Sequence, residues 1–171
     1  MRSGADRRRL FWPAAAAWLV FDFVTKRIAE RNLLPFPPFE VLGDWVQLRL
    51  VYNRGAAFGL HLGPYSRWIF LAIAIVAVWF VVRMARHSDA ADLLRQIAAA
   101  LVVSGAAGNA IDRIRGSLGV VDFIDVGVGA TRWPTFNVAD IGVSCGAVAL
   151  AISFWLEDAR RERAAAASSA G

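Results

Sequence analysis

The sequence predicts an all-α integral membrane protein: four transmembrane helices, both termini on the cytoplasmic side, and a small external β-structure between helices 1 and 2. Three observations carry that expectation. Of 171 residues 57% are hydrophobic, with a mean hydropathy of +0.47, where soluble domains hold about 45–50% apolar residues. Four windows, at about residues 10–28, 66–82, 97–114 and 137–156, have the length to cross about 30 Å of hydrocarbon. With both termini inside, ten Lys/Arg fall on short cytoplasmic segments and nine on longer external ones or at their boundary, so basic density is higher inside. The net charge of +5 is read through that rule and not as a nucleic-acid footprint.

The first window follows Arg7-Arg8-Arg9, as the apolar part of a cleaved leader does. No small-x-small cleavage site follows, and "DFVTKR" closes the run with charges, so the helix is expected to be retained. Asp22 and Lys26 stand four apart on one face. They read either as an ion pair at the outer helix end, with Lys26 snorkelling, or as part of a site. In the loop that follows, "NLLPFPPFE" carries three prolines and is no regular element. "WVQLRLVYN" is rich in β-branched and aromatic residues and predicts a strand or two.

A polar cytoplasmic turn containing "RHSDAAD" separates helices 2 and 3. In helix 3 Gly105, Asn109 and Asp112 share a face, next to Gly108 and Arg113. Small residues there allow close helix approach and the polar ones bond across the gap. Asp112 beside Arg113 also reads as a structural pair. Residues 115–135, with glycines at 116, 119, 127 and 129, form the second external segment. Asn137 and Asp140 fit an N-cap with an acid at the third helical position. Cys145 is the lone cysteine, so no internal disulfide forms, and it reads as a small packing residue. The whole is one membrane-embedded domain, residues 1–163, with a low-complexity tail at 164–171 expected to be disordered.

Which chemistry do these residues permit? His61 and His87 fall on opposite sides of the membrane, so neither a zinc site nor a histidine triad has its parts, and no GxSxG or P-loop is present. No metal or cofactor is expected. Carboxylates remain. Asp122 lies in the apolar run "VVDFIDV", where a solvated loop acid is a poor fit, and Asp125 three residues on competes for any role. Two carboxylates at one depth in low dielectric do not both ionise comfortably, so one proton is shared. That is the aspartic-protease arrangement, and Asp122 with Asp140 are its candidates. A small proton-coupled four-helix transporter is the alternative. It needs carboxylates near mid-membrane, whereas Asp112, Asp122 and Asp140 cluster towards one face.

In order along the chain stand "DFVTK" (Asp22, Thr25, Lys26), "NRGAAFG" (Asn53, Gly55, Ala57, Phe58, Gly59), "GAAGNAIDR", "GVVDF" and "FNVAD". This series resembles the bacterial lipoprotein signal peptidases, the type II signal peptidases, through nearly the whole length. The resemblance implies an aspartic endopeptidase of the cytoplasmic membrane with its site near the external face. It implies prolipoprotein substrates carrying diacylglycerol on the lipobox cysteine, cut just before that cysteine. By motif match Asp122 and Asp140 take the catalytic positions, which selects Asp122 over Asp125 by analogy. Asn53, Gly55, Asn109, Arg113 and Asn137 take supporting positions, with Asp22 and Lys26 beside them. Membrane lipids are the surroundings, nucleic acid is no partner, and a monomer suffices for the chemistry.

Overall fold

The computed structural model describes residues 7–55, 62–88 and 92–169. Its order is α1 (Phe11–Asn32), β1 (Phe39–Leu42), β2 (Val46–Asn53), α2 (Ser66–His87), α3 (Leu93–Arg115), β3 (Val120–Val128), β4 (Thr131–Arg132) and α4 (Val138–Ser169). Of the "NRGAAFG" motif, Ala57, Phe58 and Gly59 lie outside the described residues, as does His61.

Helix α3 packs against the other three, because its sequence is built from small residues. Ala98, Ala99 and Ala100 are buried. A Cβ on Gly105 would stand 2.3 Å from the Ala139 carbonyl oxygen of α4, and one on Gly146 of α4 would stand 2.7 Å from the Ala98 oxygen. Hydrogen at both positions is what lets the two backbones touch. The outer surface is apolar instead: Val76, Trp79 and Phe80 of α2 are each at least 60% exposed. Polar side chains lie inside, the reverse of a soluble bundle. At the end away from the sheet Arg95 fastens α3 to α4, bonding Glu157 at 2.6 Å and the Ser153 hydroxyl at 3.0 Å.

Among the described residues three helices are long and apolar enough to cross a membrane: residues 63–87, 93–115 and 138–169. The expectation of four such helices is met for three. Helix α1 has the length, but Asp22, Lys26, Arg27, Glu30 and Arg31 lower its hydropathy.

The external β-structure differs from expectation as well. It is a four-stranded antiparallel sheet in the order β1-β2-β3-β4, and half of it comes from the segment between α3 and α4. Strand β3 hides in the sequence because its first four residues are all buried. With both faces covered, the polar-apolar alternation that announces a strand is absent. Residues 164–169, expected to be disordered, continue α4 as an exposed helix. Four consecutive alanines there have the highest helix propensity, and no breaker interrupts them.

Candidate active site

The site assembles where the sheet meets the C-terminal ends of α1 and α3 and the N-terminal end of α4. Asn137 is its keystone and is fully buried. As N-cap of α4 its side-chain oxygen accepts from the Asp140 N–H at 2.9 Å, and Asp140 Oδ2 accepts from the Asn137 N–H at 3.1 Å. That is a reciprocal capping box. The same side chain donates through Nδ2 to Asp122 Oδ1 at 2.7 Å and approaches Asn109 Oδ1 at 3.1 Å and the Val121 carbonyl at 3.2 Å. Cap and site are one structure, so the two readings of "FNVAD" are both realised.

Asp122 is brought in by β3, whose register sets it opposite Val51 of β2. Asn53, two residues on along β2, donates to Asp122 Oδ2 at 3.1 Å. Asp140 Oδ1 accepts from Asn109 of α3 at 2.8 Å. Asp122 and Asp140 line one cavity of about 440 Å³, together with Asn53, Asn109 and Arg113. Trp133, Phe136, Ile141 and Val143 form its apolar wall. Burial pushes the Asp122 carboxyl up to about 7, and the charge of Asp140 pushes the same way. The amides of Asn53 and Asn137 and the ammonium of Lys26 oppose them and are outweighed.

Behind this wall lies an ionic cluster that departs from the sequence expectation. Lys26 does not snorkel. It is 1% exposed and its Nζ meets Asp22 Oδ2 and Asp112 Oδ2, each at 2.9 Å, and Asn109 Oδ1 at 2.9 Å. An ammonium only donates, so it turns the Asn109 oxygen towards itself and the amide N–H groups towards Asp140. Asp22 reaches across to α4 and accepts from the Ala139 N–H at 2.8 Å. Asp112 pairs with Lys26 and not with its neighbour Arg113. Arg113 instead donates to the carbonyls of Gly55 and Asn109, at 2.9 and 3.2 Å. Gly55 and Asn137 support the site from behind and do not line the cavity.

Asp125, the sequence competitor of Asp122, is brought to a different place. It stands three residues away along a strand, hence on the opposite face. There it is held by Arg49 at 2.7 Å and Arg132 at 2.6 Å. Neither arginine was singled out in the sequence. Arg49 lies 76 positions away, a pairing that no local pattern reveals. Cys145, expected to pack internally, is exposed and lines the cavity with Ser144. The wall residues 133–136 were also missed, because their arrangement depends on a backbone bridge between Phe136 and Ile124.

Residues 14–156 match the family model described as signal peptidase (SPase) II. The chain belongs to the signal peptidase II family. It is accordingly a hydrolase, a protease that removes signal peptides from prolipoproteins, and not a transporter. A lipoprotein signal peptidase of Hydrogenovibrio crunogenus is 42% identical over 149 residues, covering 85% of this chain and 86% of the relative. One from Rhodococcus jostii is 39% identical over 156 residues, covering 86% and 73%. Among solved structures, a bacterial membrane enzyme determined by the in meso method superposes with a TM-score of 0.79 at 30% identity, over 88% of this chain and 90% of its own. A second in meso structure gives 0.74 at 31%, over 85% and 92%.

Proposed function

We propose that this signal peptidase is an aspartic endopeptidase in which Asp122 and Asp140 are the catalytic pair. Its substrates are prolipoproteins bearing diacylglycerol on the lipobox cysteine, cut just before that cysteine. The observation that carries the reading is two carboxylates on one cavity, one of them pushed up to about 7.

In the resting pair the raised carboxyl of Asp122 holds the shared proton, and Asp140 stands in the first turn of α4, where negative charge is favoured. Asp140 takes a proton from water as the water oxygen attacks the scissile carbonyl carbon, and Asp122 gives its proton to the carbonyl oxygen. On collapse of the tetrahedral diol, Asp140 passes its proton to the leaving nitrogen. A diol hydroxyl returns a proton to Asp122, so the pair ends as it began. Asn109 has its amide committed to Asp140 and its oxygen to Lys26 and Asn137, so it orients the base. Arg113 keeps N–H donors beyond its two carbonyl bonds and faces the cavity, where it steadies the substrate main chain.

The setting is the bacterial cytoplasmic membrane, with the termini inside and the site near the external face. Helix α1 is the fourth span: Val20, Phe21, Val24 and Ile28 are exposed towards lipid while Asp22 and Lys26 face inwards. One subunit supplies every residue of the mechanism. The test is cleavage of a diacylglyceryl-modified lipobox peptide by the purified protein. Asp122→Asn and Asp140→Asn should each abolish turnover while the protein stays folded. Full activity in either variant would remove that residue from the pair.

A further inference from the structure

A second cavity, of about 400 Å³, lies beside the first and shares Asn53 and Arg113 with it. Its described lining includes three guanidiniums, those of Arg54, Arg67 and Arg113, and no carboxylate. Arg113 has Asp112, Asp122 and Asp140 near enough to act on its charge. Arg54 and Arg67 form no ion pair among the described residues.

Arg67 is nevertheless fixed. It donates to the carbonyls of Arg113 and Ile114, at 2.5 and 3.2 Å, and its guanidinium stacks on Trp68 with 4.7 Å to the ring centroid. Those acceptors are neutral, so they orient the side chain without cancelling its charge. A guanidinium has five N–H donors, and three of Arg67 remain for a ligand. Arg54 reaches the same cavity from the end of β2. A membrane protein that collects two uncompensated cations around a cavity has built a place for an anion.

The position of the cavity names the anion. Gly63, Pro64 and Ser66 line it, and these residues begin a span long and apolar enough to cross the bilayer. Trp68 is exposed beside it, at the depth where indoles mark the boundary between hydrocarbon and water. The cavity therefore opens at headgroup level. Basic pockets at the ends of membrane helices hold lipid headgroups, and a guanidinium fork matches two phosphate oxygens. We propose that this cavity binds the phosphodiester headgroup of an anionic phospholipid between Arg54 and Arg67, next to the active cavity. Through the shared Arg113 and Asn53, the lipid completes one wall of the substrate's surroundings.

The test reads binding directly, so it does not depend on the peptidase mechanism. Full-length protein in detergent is titrated separately with phosphatidylglycerol, phosphatidylcholine and soluble glycerol phosphate, and bound adducts are counted by native mass spectrometry. Phosphatidylglycerol should bind in preference to phosphatidylcholine. Arg54→Gln and Arg67→Gln should each weaken it about fivefold. Arg161→Gln, on an exposed turn far along α4, should leave it unchanged. Arg54 is exposed and makes no side-chain bond among the described residues, so its variant folds whatever Arg67→Gln does. Equal binding of the two lipids, or wild-type binding by Arg54→Gln, overturns the proposal. Glycerol phosphate binding as tightly as the lipid would reassign the cavity to a soluble phosphate ester.

Discussion

Asp122→Asn tests the electrostatic argument through stability, a quantity that owes nothing to substrate. In the folded protein the Asp122 carboxyl is pushed from an ordinary 3.8 up to about 7. A raised carboxyl binds its proton more tightly folded than unfolded. Its contribution is therefore favourable below pH 4 and is lost as pH rises through 7. At about 1.36 kcal/mol per pH unit the gap comes to about 4 kcal/mol, withdrawn from the wild type between pH 4 and pH 8. Asparagine does not titrate and escapes this loss. It does carry an NH2 where the carboxylate accepted from Asn53 and Asn137, a mismatch of about 1–3 kcal/mol. That cost is independent of pH, so it cancels when the two proteins are compared across pH. Thermal unfolding in detergent should show the wild type losing about 8–16 °C relative to Asp122→Asn between pH 4 and pH 8. Over the same interval wild-type kcat/KM should fall to about half its plateau at pH 7 and to about a tenth at pH 8. Parallel melting curves across the whole interval would refute the reasoning, since the Asp122 carboxyl would then bind its proton equally in the folded and unfolded protein.

Gly105→Leu should be among the most damaging apolar changes, because the new Cβ starts 2.3 Å from a backbone oxygen of α4, which has no rotamer to move. Overpacking of this kind costs about 1–3 kcal/mol or more, read as a lower melting temperature and loss of the Asn137–Asp140 cap. Asp125→Asn should cost about 1–2 kcal/mol by weakening its bonds to Arg49 and Arg132, which keep Thr135 and Asp44 as partners, with turnover per folded molecule near wild type. A complete loss of turnover in a folded Asp125→Asn protein would show that the face of β3 has been misassigned.

Much of the molecule was legible before any coordinates. The four predicted runs all fold as helices, and three of them are long and apolar enough to cross a membrane, because apolar length is a local property. The strand in "WVQLRLVYN" followed from its β-branched and aromatic content, and the cap at Asn137 from the three-residue spacing to Asp140. Two elements escaped. The wall at residues 133–136 escaped because it depends on a backbone bridge to Ile124, far from any local pattern. Burial on both faces hid β3, because covering both removes the alternation that a reader looks for.

What the sequence by itself determined is the list of parts: small residues on α3, acids set in apolar runs, asparagines at fixed spacings. Tertiary structure decided which parts meet. Asp122 and Asp125 have equally apolar neighbours in the chain, and only the pairing of β3 with β2 turns one towards the cavity and the other towards two arginines. Lys26 and Asn109 are 83 positions apart, so nothing local announces that an ammonium on α1 orients the amide beside Asp140. Local sequence sets backbone conformation because its interactions span a few residues. A proton-sharing pair depends on charge and burial summed over several elements at once, and that sum exists only after the chain has packed.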